Sequence, residues 1–242
     1  MVGEPESPDR RAELAAALAA LRERIRTACV AAGRHPDEVR LLAVTKTFPA
    51  TDVALLADLG LTEFAENRDA EAAEKVVSVA ELRPGLRSRW HLVGRLQRNK
   101  ARSAIRWASQ VQSVDSARLA DALAAAIART ERIGPLEVLI QASIDGDPAR
   151  GGAPLAELPA LAEQVAGHAE LRLCGVMCVA PMSMPADAAF ERLAEAARRL
   201  RVDHPQATEI SAGMSGDLEA AIRYGSTCVR VGTALLGSRR LA

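Results

Sequence analysis

Apolar residues recur with two different periods along the chain. Over residues 10–33 they fall three or four positions apart, at Leu14, Leu18, Leu21, Ile25 and Ala28, and this spacing predicts an amphipathic helix at the start of the chain. After it, short apolar runs alternate with longer helical stretches. Eight such runs predict strands: Leu41–Lys46, Glu63–Ala65, Trp90–Gly94, Gln110–Val114, Leu136–Ala142, Leu171–Met177, Thr208–Ser211 and Thr227–Gly232.

The alternation of strands and helices predicts the fold class. Helical stretches begin near Thr51, Asp69, Gln97, Ser116, Pro154, Asp187 and Ser215, and a short one follows Thr233. Strands that alternate with helices pair in parallel through right-handed crossovers. Eight units in about 200 residues favour a closed (β/α)8 TIM barrel over an open doubly wound sheet. We therefore predict an α/β protein with one TIM barrel domain over residues 10–242, an extra N-terminal helix and a flexible tail over residues 1–9.

Composition and charge exclude several classes of function. The 242 residues carry 31 basic and 31 acidic side chains and only 2% aromatic residues, so we expect no nucleic-acid partner. No run of 18 apolar residues occurs and the first residues are polar and proline-rich, so we expect neither a membrane span nor a signal peptide. The cysteines (Cys29, Cys174, Cys178 and Cys228) are interpreted as buried free thiols of a cytoplasmic protein, without a bound metal.

Lysine is rare in this chain, which uses arginine for 28 of its 31 basic residues. Lys46 closes the first predicted strand, and lysine, unlike arginine, forms a Schiff base once desolvation lowers its pKa. The alternative is that Lys46 extends from the barrel mouth as a solvated charge or pairs with a carboxylate such as Glu66. Lys75 is predicted to lie on a surface helix as an ordinary charge. Lys100 begins a helix after the third strand and is interpreted as a solvated charge with no assigned role.

The loops after the seventh and eighth strands predict a phosphate site. TIM barrels build such sites from these two loops, and here the loops offer glycines and the hydroxyls of Ser211, Ser215 and Thr233. The alternative is that these residues form ordinary caps and turns. The nearby Asp217 would compete with a bound anion.

Arg230 lies on the same face of the eighth strand as Gly232, since side chains alternate with a period of two. If Gly232 faces a phosphate, Arg230 faces the barrel mouth, although it could instead form a salt bridge inside the barrel. A Schiff-base lysine and a phosphate cradle suggest a phosphorylated aldehyde, of which pyridoxal 5′-phosphate is the obvious one. Arg230 would then lie near the pyridine nitrogen, where it cannot readily give up a proton, so the ring would be a poor electron sink.

Several segments together resemble the pyridoxal phosphate homeostasis proteins, also called proline synthetase co-transcribed bacterial homologues. They are Ala43–Thr47, Phe64–Asn67, Trp90–Lys100, Ser113–Asp115, Ser211–Ile222 and Gly225–Ala234, and the similarity extends over about residues 10–238. The resemblance implies a fold-type III barrel like the N-terminal domain of alanine racemase, with pyridoxal phosphate covalently bound to Lys46 as an aldimine. The implied cofactor-binding residues are Lys46, Asn67, His91, Ser211, the Met214 backbone, Ser215, Arg230, Gly232 and Thr233.

The resemblance also implies a function. Such proteins are described as monomeric, without established catalytic activity, and as acting in vitamin B6 balance, so we expect a cytoplasmic carrier whose recipients are pyridoxal phosphate-dependent apoenzymes. Two departures alter the rim of the pocket. Arg68 replaces a tyrosine that is common in the family, and Arg150-Gly-Gly152 stands where a Lys-x-Gly segment is common.

The alternative function is an enzyme, either a racemase or a Schiff-base aldolase acting on a phosphorylated sugar. A racemase needs acid and base groups on both faces of the cofactor. The single tyrosine, Tyr224, is predicted to lie on a helix away from the strand ends, and the chain ends ten residues after Gly232, so we expect no second, tyrosine-supplying domain. A purely structural module would leave the combination of Lys46, Ser215 and Gly232 unexplained.

Overall fold

The computed structural model describes residues 8–147 and 151–237. Its strands are β1 (Arg40–Val44), β2 (Glu63–Glu66), β3 (Arg89–Leu92), β4 (Gln110–Val114), β5 (Leu136–Ser143), β6 (Ala153–Pro154), β7 (Leu171–Met177), β8 (Glu209–Ser211) and β9 (Cys228–Val231). Its α-helices are α1 (Pro8–Ala31), α2 (Ala50–Asp58), α3 (Asp69–Leu82), α4 (Ala101–Ala104), α5 (Ala117–Ile127), α6 (Leu158–Ala166), α7 (Ala186–Asp203), α8 (Leu218–Arg223) and α9 (Thr233–Leu236).

Eight parallel strands close a ring in the order β1-β2-β3-β4-β5-β7-β8-β9, because β4 pairs with β5 and β9 pairs with β1. The two-residue β6 pairs only with β5, outside this ring. The predicted TIM barrel is therefore confirmed. The seventh and eighth barrel strands are β8 and β9.

The strand bounds agree with the predicted ones except at their ends. β1 stops at Val44, so Lys46 lies in the turn beyond the strand. The first helix begins at Pro8, and Pro8 and Asp9 are thus helical rather than part of the tail; residues 1–7 of the predicted tail lie outside the described residues. The helix predicted to start at Ser215 starts at Leu218, with Asp217 at its N-cap.

Helix α1 packs across α8 and α9, beside the loops that follow β8 and β9. All five apolar residues of its predicted stripe, from Leu14 to Ala28, are buried, which confirms the helical spacing. The main hydrophobic core lies between the barrel and its ring of helices. Burying these side chains supplies the main driving force for folding.

The barrel interior is polar in part, in contrast to that core, and two small apolar clusters around Leu42 and Leu139 are separate from the core. Residues of β3, β4, β8 and β9 that face inward include His91, Gln110, Gln112, Ser211 and Arg230, and all are buried. Strands of a parallel sheet are usually apolar on both faces. Polar side chains therefore form a column inside the barrel, which leads towards the carboxyl ends of the strands.

The four cysteines are buried and free, as predicted. Burial raises the pKa of Cys228 to about 11 and that of Cys174 to about 11, which suppresses the reactive thiolate. Cys174 lies near Glu137 and Glu209 in a geometry that could hold a metal. However, arginines already bind both carboxylates, so they occupy the position of a cation. In the described part of the chain, no helix is long and apolar enough to cross a membrane.

Candidate functional site

The residues predicted to bind a cofactor gather at the carboxyl end of the barrel. Lys46 and Asn67 follow β1 and β2, Met214 and Ser215 follow β8, and Gly232 and Thr233 follow β9; Ser211 and Arg230 lie in the last residues of β8 and β9. His91 is the exception in depth, since it lies within β3 and is fully buried. Functional sites of TIM barrels are found at this end.

Lys46 lies in the turn after β1, two residues beyond the last strand residue, Val44. Within the strands, Leu42 of β1 pairs with Arg230 of β9, so the strand that leads to Lys46 is a neighbour of the strand that carries Arg230. The Lys46 side chain is half-buried and makes no hydrogen bond or ion pair in the described structure. Lys46 is therefore a half-buried amine without a carboxylate partner, whereas the exposed Lys100 at the same end lies after β3, away from β1 and β9.

Lys75 explains why Lys46 is free. The sequence predicted Lys75 to be an ordinary surface charge, and this is wrong: its side chain is 7% exposed, and its Nζ lies 2.7 Å from Glu66 and 3.1 Å from Glu71. The same Nζ donates to the Thr45 carbonyl at 2.8 Å. The alternative pairing of Lys46 with Glu66 is therefore also wrong, because Lys75 takes this carboxylate.

The turn that carries Lys46 is strained. Thr47 has a φ of +68° and is the only non-glycine residue of the described chain with a positive φ. For a β-branched residue this conformation is a genuine outlier, of the kind found at functional sites. The Thr47 N–H donates to Glu71 at 2.5 Å, and Thr45 donates its hydroxyl to Glu66 at 2.6 Å. Glu66, Glu71 and Lys75 therefore hold the turn on both sides of Lys46.

The loops after β8 and β9 contact each other, as a phosphate site requires. The Ser215 hydroxyl accepts a hydrogen bond from the Ala234 N–H at 3.3 Å. The exposed Thr233 hydroxyl makes no hydrogen bond in the described structure. Gly213 has a φ of +91° and leaves no room for a Cβ, which would lie 2.6 Å from the Cβ of Ala221. The glycines and hydroxyls that the sequence predicts to form a phosphate cradle thus lie in two loops that are in contact with each other.

Asp217 lies beside this cradle, where the sequence predicts that it would compete with a bound anion. Its carboxylate accepts the Met214 N–H at 2.6 Å, and this N–H is one of the groups predicted to hold phosphate. Gly232 is closely confined as well, since a Cβ there would lie 3.2 Å from the Val44 carbonyl oxygen. The end of β1 and the start of the β9 loop are therefore in direct contact.

Helix α1 braces the cradle from outside the barrel. Arg24 donates to the Ser215 carbonyl at 2.8 Å and also pairs with Glu219 of α8. Arg10 donates to the Leu236 carbonyl of α9 at 3.0 Å. The extra N-terminal helix therefore fixes the backbone of both loops.

Arg230 lies at the base of the site. It is 5% exposed, donates to the Ser211 hydroxyl at 2.7 Å and to the Cys178 carbonyl at 2.6 Å, and forms no ion pair with any described carboxylate. The alternative of a salt bridge inside the barrel is therefore wrong. Burial lowers the pKa of its guanidinium, which nevertheless stays charged. Two hydrogen bonds leave other N–H groups of the guanidinium unused, and a buried cation with such donors suits an acceptor atom of a ligand.

Behind Arg230, a chain of hydrogen bonds runs down the barrel. Ser211 donates to Gln112 at 2.7 Å, and Gln112 donates to Gln110 at 2.9 Å. His91 Nδ1 lies 3.0 Å from the Gln110 oxygen, while its Nε2 lies 3.3 Å from Glu63 without hydrogen-bond geometry. His91 is thus placed below the mouth, where it supports the residues that orient Arg230.

The sequence analysis assigns no functional role to Gln112, Glu71 or Thr47 and places Lys75 on the surface. For Gln112 and Lys75, the sequence nevertheless contains a pattern that indicates their position. Gln110 and Gln112 are polar at alternate positions of a strand expected to be apolar, and Lys75 lies on the buried face of α3 with Ala72 and Val79.

The donor set fits a phosphorylated aldehyde with a ring acceptor. The Lys46 amine and the Thr233 hydroxyl have no partner in the described structure, and Arg230 has no carboxylate. Amine, hydroxyl and guanidinium are respectively suited to an aldehyde, a phosphate and a ring nitrogen.

Comparisons with known proteins agree with this fit. The family model described as "Alanine racemase, N-terminal domain" matches residues 16–240. A pyridoxal phosphate homeostasis protein of Mycobacterium tuberculosis is 46% identical over 97% of this chain and 96% of its own length. The Escherichia coli K12 protein of that name is 38% identical over 94% and 97%.

Solved structures agree as well. PipY of Synechococcus elongatus, with pyridoxal phosphate bound, superposes with a TM-score of 0.79 at 32% identity, over 93% of this chain and all of that one. Alanine racemase of Corynebacterium glutamicum superposes with a TM-score of 0.66 at 16% identity, over 93% of this chain and 62% of that one. The second likeness shows a common fold only.

Proposed function

The chain belongs to the family of pyridoxal phosphate homeostasis proteins, and from this premise we propose that it binds pyridoxal 5′-phosphate covalently through Lys46. The cofactor would be held at the carboxyl end of the barrel. The protein would act in vitamin B6 balance in the cytoplasm, as a monomer that stores the cofactor or delivers it to apoenzymes.

The observation that carries the proposal is a difference between Lys46 and Lys75, which both lie near the end of β1: Lys75 is paired with carboxylates and Lys46 is not. Lys75 binds the nearby carboxylates, whereas the half-buried Lys46 amine has no partner in the described structure. Lys46 follows β1, Arg230 lies in β9 and Gly232 follows β9, and these two strands pair. This arrangement supports the proposal that the amine, the donor to the ring nitrogen and part of the phosphate cradle come from neighbouring strands.

The residues around the proposed site would hold different parts of pyridoxal phosphate. Ser215 and Thr233 would bind the phosphate, together with the Gly232 and Met214 backbone. Asn67 would line the side of the pocket after β2. When bound, pyridoxal phosphate supplies an electrophilic aldehyde and an aromatic ring that can accept electrons.

Arg230 favours storage over turnover. A guanidinium donates a hydrogen bond but keeps its proton, so it leaves the ring less able to accept electrons than a carboxylic acid would. The Tyr224 side chain, which could serve as a second acid, packs against the hydrophobic core at the end of α8. Catalysis on both faces of a substrate requires a second acid or base, so we expect at most weak side activity.

The experiment that tests covalent binding is absorbance of the purified protein after addition of pyridoxal phosphate. The wild-type protein should gain a visible band, and borohydride reduction followed by peptide mass spectrometry should locate the modification on Lys46. Lys46→Ala should lose both signals. A wild-type protein that stays colourless at saturating cofactor would overturn the proposal.

A control separates the covalent bond from the other contacts. Pyridoxine 5′-phosphate has the phosphate and the ring but no aldehyde, so Lys46→Ala should still bind it. Loss of this binding would indicate that Lys46→Ala disturbs the pocket itself.

The carrier is distinguished from the alternative enzyme by turnover. The loaded protein should not racemise or cleave L-alanine, L-serine or other amino acids above background. Turnover that disappears in Lys46→Ala would instead establish a racemase or aldolase.

A further inference from the structure

We propose that a second site, in a cavity at the carboxyl ends of β2, β3 and β4, binds a small polyanion that carries phosphate. This site goes beyond the proposed cofactor function and does not depend on it. It also gives a role to Lys100 and to the arginines around it, which the cofactor site leaves unused.

The cavity has the size of a ligand site. Its volume is about 1050 Å³, and it is lined by three segments: the β2–α3 junction from Asn67 to Ala70, the loop from Leu92 to Lys100, and the start of α5 from Asp115 to Leu119. Sites for small molecules enclose about 300–1,000 Å³. The cavity is therefore large enough for a whole metabolite.

Its charge is strongly positive. Arg68, Arg95, Arg98, Lys100 and Arg118 line it, are exposed, and make no side-chain hydrogen bond or ion pair in the described residues. The two acidic residues in the lining already accept hydrogen bonds, Asp69 from Trp107 at 2.9 Å and Asp115 from Ser116 at 3.1 Å. Five cations against two carboxylates leave an excess of three positive charges in a chain whose net charge is zero.

The chemistry of the lining favours phosphate. Arginine presents a planar fork of N–H donors that binds phosphate oxygens in pairs, and four of the five cations are arginines. No aromatic side chain lines the cavity, so it lacks the stacking platform of a nucleic-acid site. A concave site suits a small molecule better than the surface of a protein partner.

The site is separate from the proposed cofactor cradle. Of the predicted cofactor-binding residues, only Asn67 lines the cavity. Ser215, Gly232 and Thr233 follow β8 and β9, whereas the cavity follows β2, β3 and β4. The two anion sites thus lie on different sectors of one barrel mouth.

The test is titration calorimetry of inorganic pyrophosphate into the protein, once without added cofactor and once after pyridoxal phosphate has been added. Binding should be saturable and should weaken about tenfold in each of Arg95→Gln and Arg118→Gln, a loss of about 1.4 kcal/mol. The matched control is Arg129→Gln, an exposed arginine outside the cavity whose side chain makes no hydrogen bond or ion pair in the described residues. It should bind pyrophosphate as the wild-type protein does.

Fluorescence gives a second readout, since Trp107 is hydrogen-bonded to Asp69 in the lining. Pyrophosphate should change the emission of the wild-type protein but not that of Trp107→Phe.

Three results would overturn the proposal. The first is no binding of pyrophosphate, or equal losses in Arg118→Gln and Arg129→Gln. The second is citrate binding as tightly as pyrophosphate, which would mean attraction by charge alone. The third is binding that is lost in Ser215→Ala, or that occurs only before cofactor loading, which would assign the anion to the cofactor cradle.

Discussion

The two ends of the barrel use charge in opposite ways. At the amino end, charges are paired across strands: Arg40 binds Glu63 and Glu209, each at 2.8 Å, and Glu137 is held between Arg89 and Arg172. At the carboxyl end, Lys46 and the five cations of the second cavity have no carboxylate partner among the described residues. Arg230, just below that end, has none either.

This difference in charge pairing indicates that the amino end contributes to stability and the carboxyl end to ligand binding. Paired charges at the amino end link the starts of neighbouring strands to one another. Cations without a partner at the carboxyl end contribute little to stability, but they can attract anions. The Lys75 cluster, defined by Lys75, Glu66 and Glu71, is a buried exception, because it is a paired group at the carboxyl end; Arg24 and Glu219 form a more exposed pair there.

The largest expected effect is a loss of stability when the Lys75 cluster is broken. Lys75→Met should lower the free energy of unfolding by about 3–5 kcal/mol, because it leaves the fully buried Glu66 without its cation. Burial already raises the pKa of Glu66 in spite of Lys75 and Thr45. Urea denaturation gives the measurement.

Lys100→Met is the matched control, since Lys100 is an exposed lysine at the same end. It should change the stability by no more than about 0.5 kcal/mol. Equal midpoints for the two variants would mean that paired and unpaired lysines at this end do not differ.

The second prediction concerns the amino end. Arg40→Gln should lower the free energy of unfolding by about 2 kcal/mol, because two charged hydrogen bonds are lost. Binding of pyridoxal phosphate should stay unchanged, since Arg40 lies at the far end of β1. A loss of cofactor affinity without a loss of stability would reverse the assignment of the two ends. Arg87→Gln, an exposed arginine whose side chain has no partner in the described structure, should have neither effect.

The third prediction is a pH dependence from the same end. Burial would raise the pKa of Glu63, but the facing His91 and Arg40 lower it to about 2 from an ordinary 4.5. Glu63 therefore stabilises the folded protein above pH 4.5, and this contribution is lost as the pH falls towards 2. With solvent screening it amounts to about 1–2 kcal/mol.

Thermal unfolding between pH 2 and pH 6 measures this contribution. Glu63→Gln should lose stability less steeply on acidification than the wild-type protein. Glu74→Gln, at an exposed carboxylate without a side-chain partner in the described structure, should follow the wild-type curve. Parallel curves for Glu63→Gln and the wild type would contradict the prediction.

The sequence predicted the barrel, because the fold follows from the alternation of strands and helices, and the residues that it proposed for the site gather at one end of that barrel. It did not predict the environment of the lysines. Thr47 has a strained backbone and donates a hydrogen bond to Glu71, which is 24 residues away, and such a contact exists only in the folded chain. Lys75 differs, because its helical spacing from Ala72 and Val79 indicates the buried face of α3, whereas its charge favours the surface.

The smallest effect concerns the one carboxylate that meets the cofactor cradle. Asp217 accepts the Met214 N–H, so it occupies a donor that a phosphate would use and repels the anion. Asp217→Asn keeps an acceptor oxygen for this N–H but removes the negative charge. We expect the dissociation constant of pyridoxine 5′-phosphate to fall about threefold, or about 0.6 kcal/mol.

The direction in which the dissociation constant changes in Asp217→Asn distinguishes two roles for this carboxylate. Tighter binding in Asp217→Asn would show that the carboxylate and the phosphate compete, and that the carboxyl end has the excess of positive charge that its cations indicate. Weaker binding would show that Asp217 orders the Met214 loop before the ligand arrives. Asp187→Asn is a suitable control, because this carboxylate pairs with Arg223 on the exposed surface, where an ion pair contributes little. Its affinity should equal that of the wild-type protein, so any shift in Asp217→Asn can be assigned to the cradle.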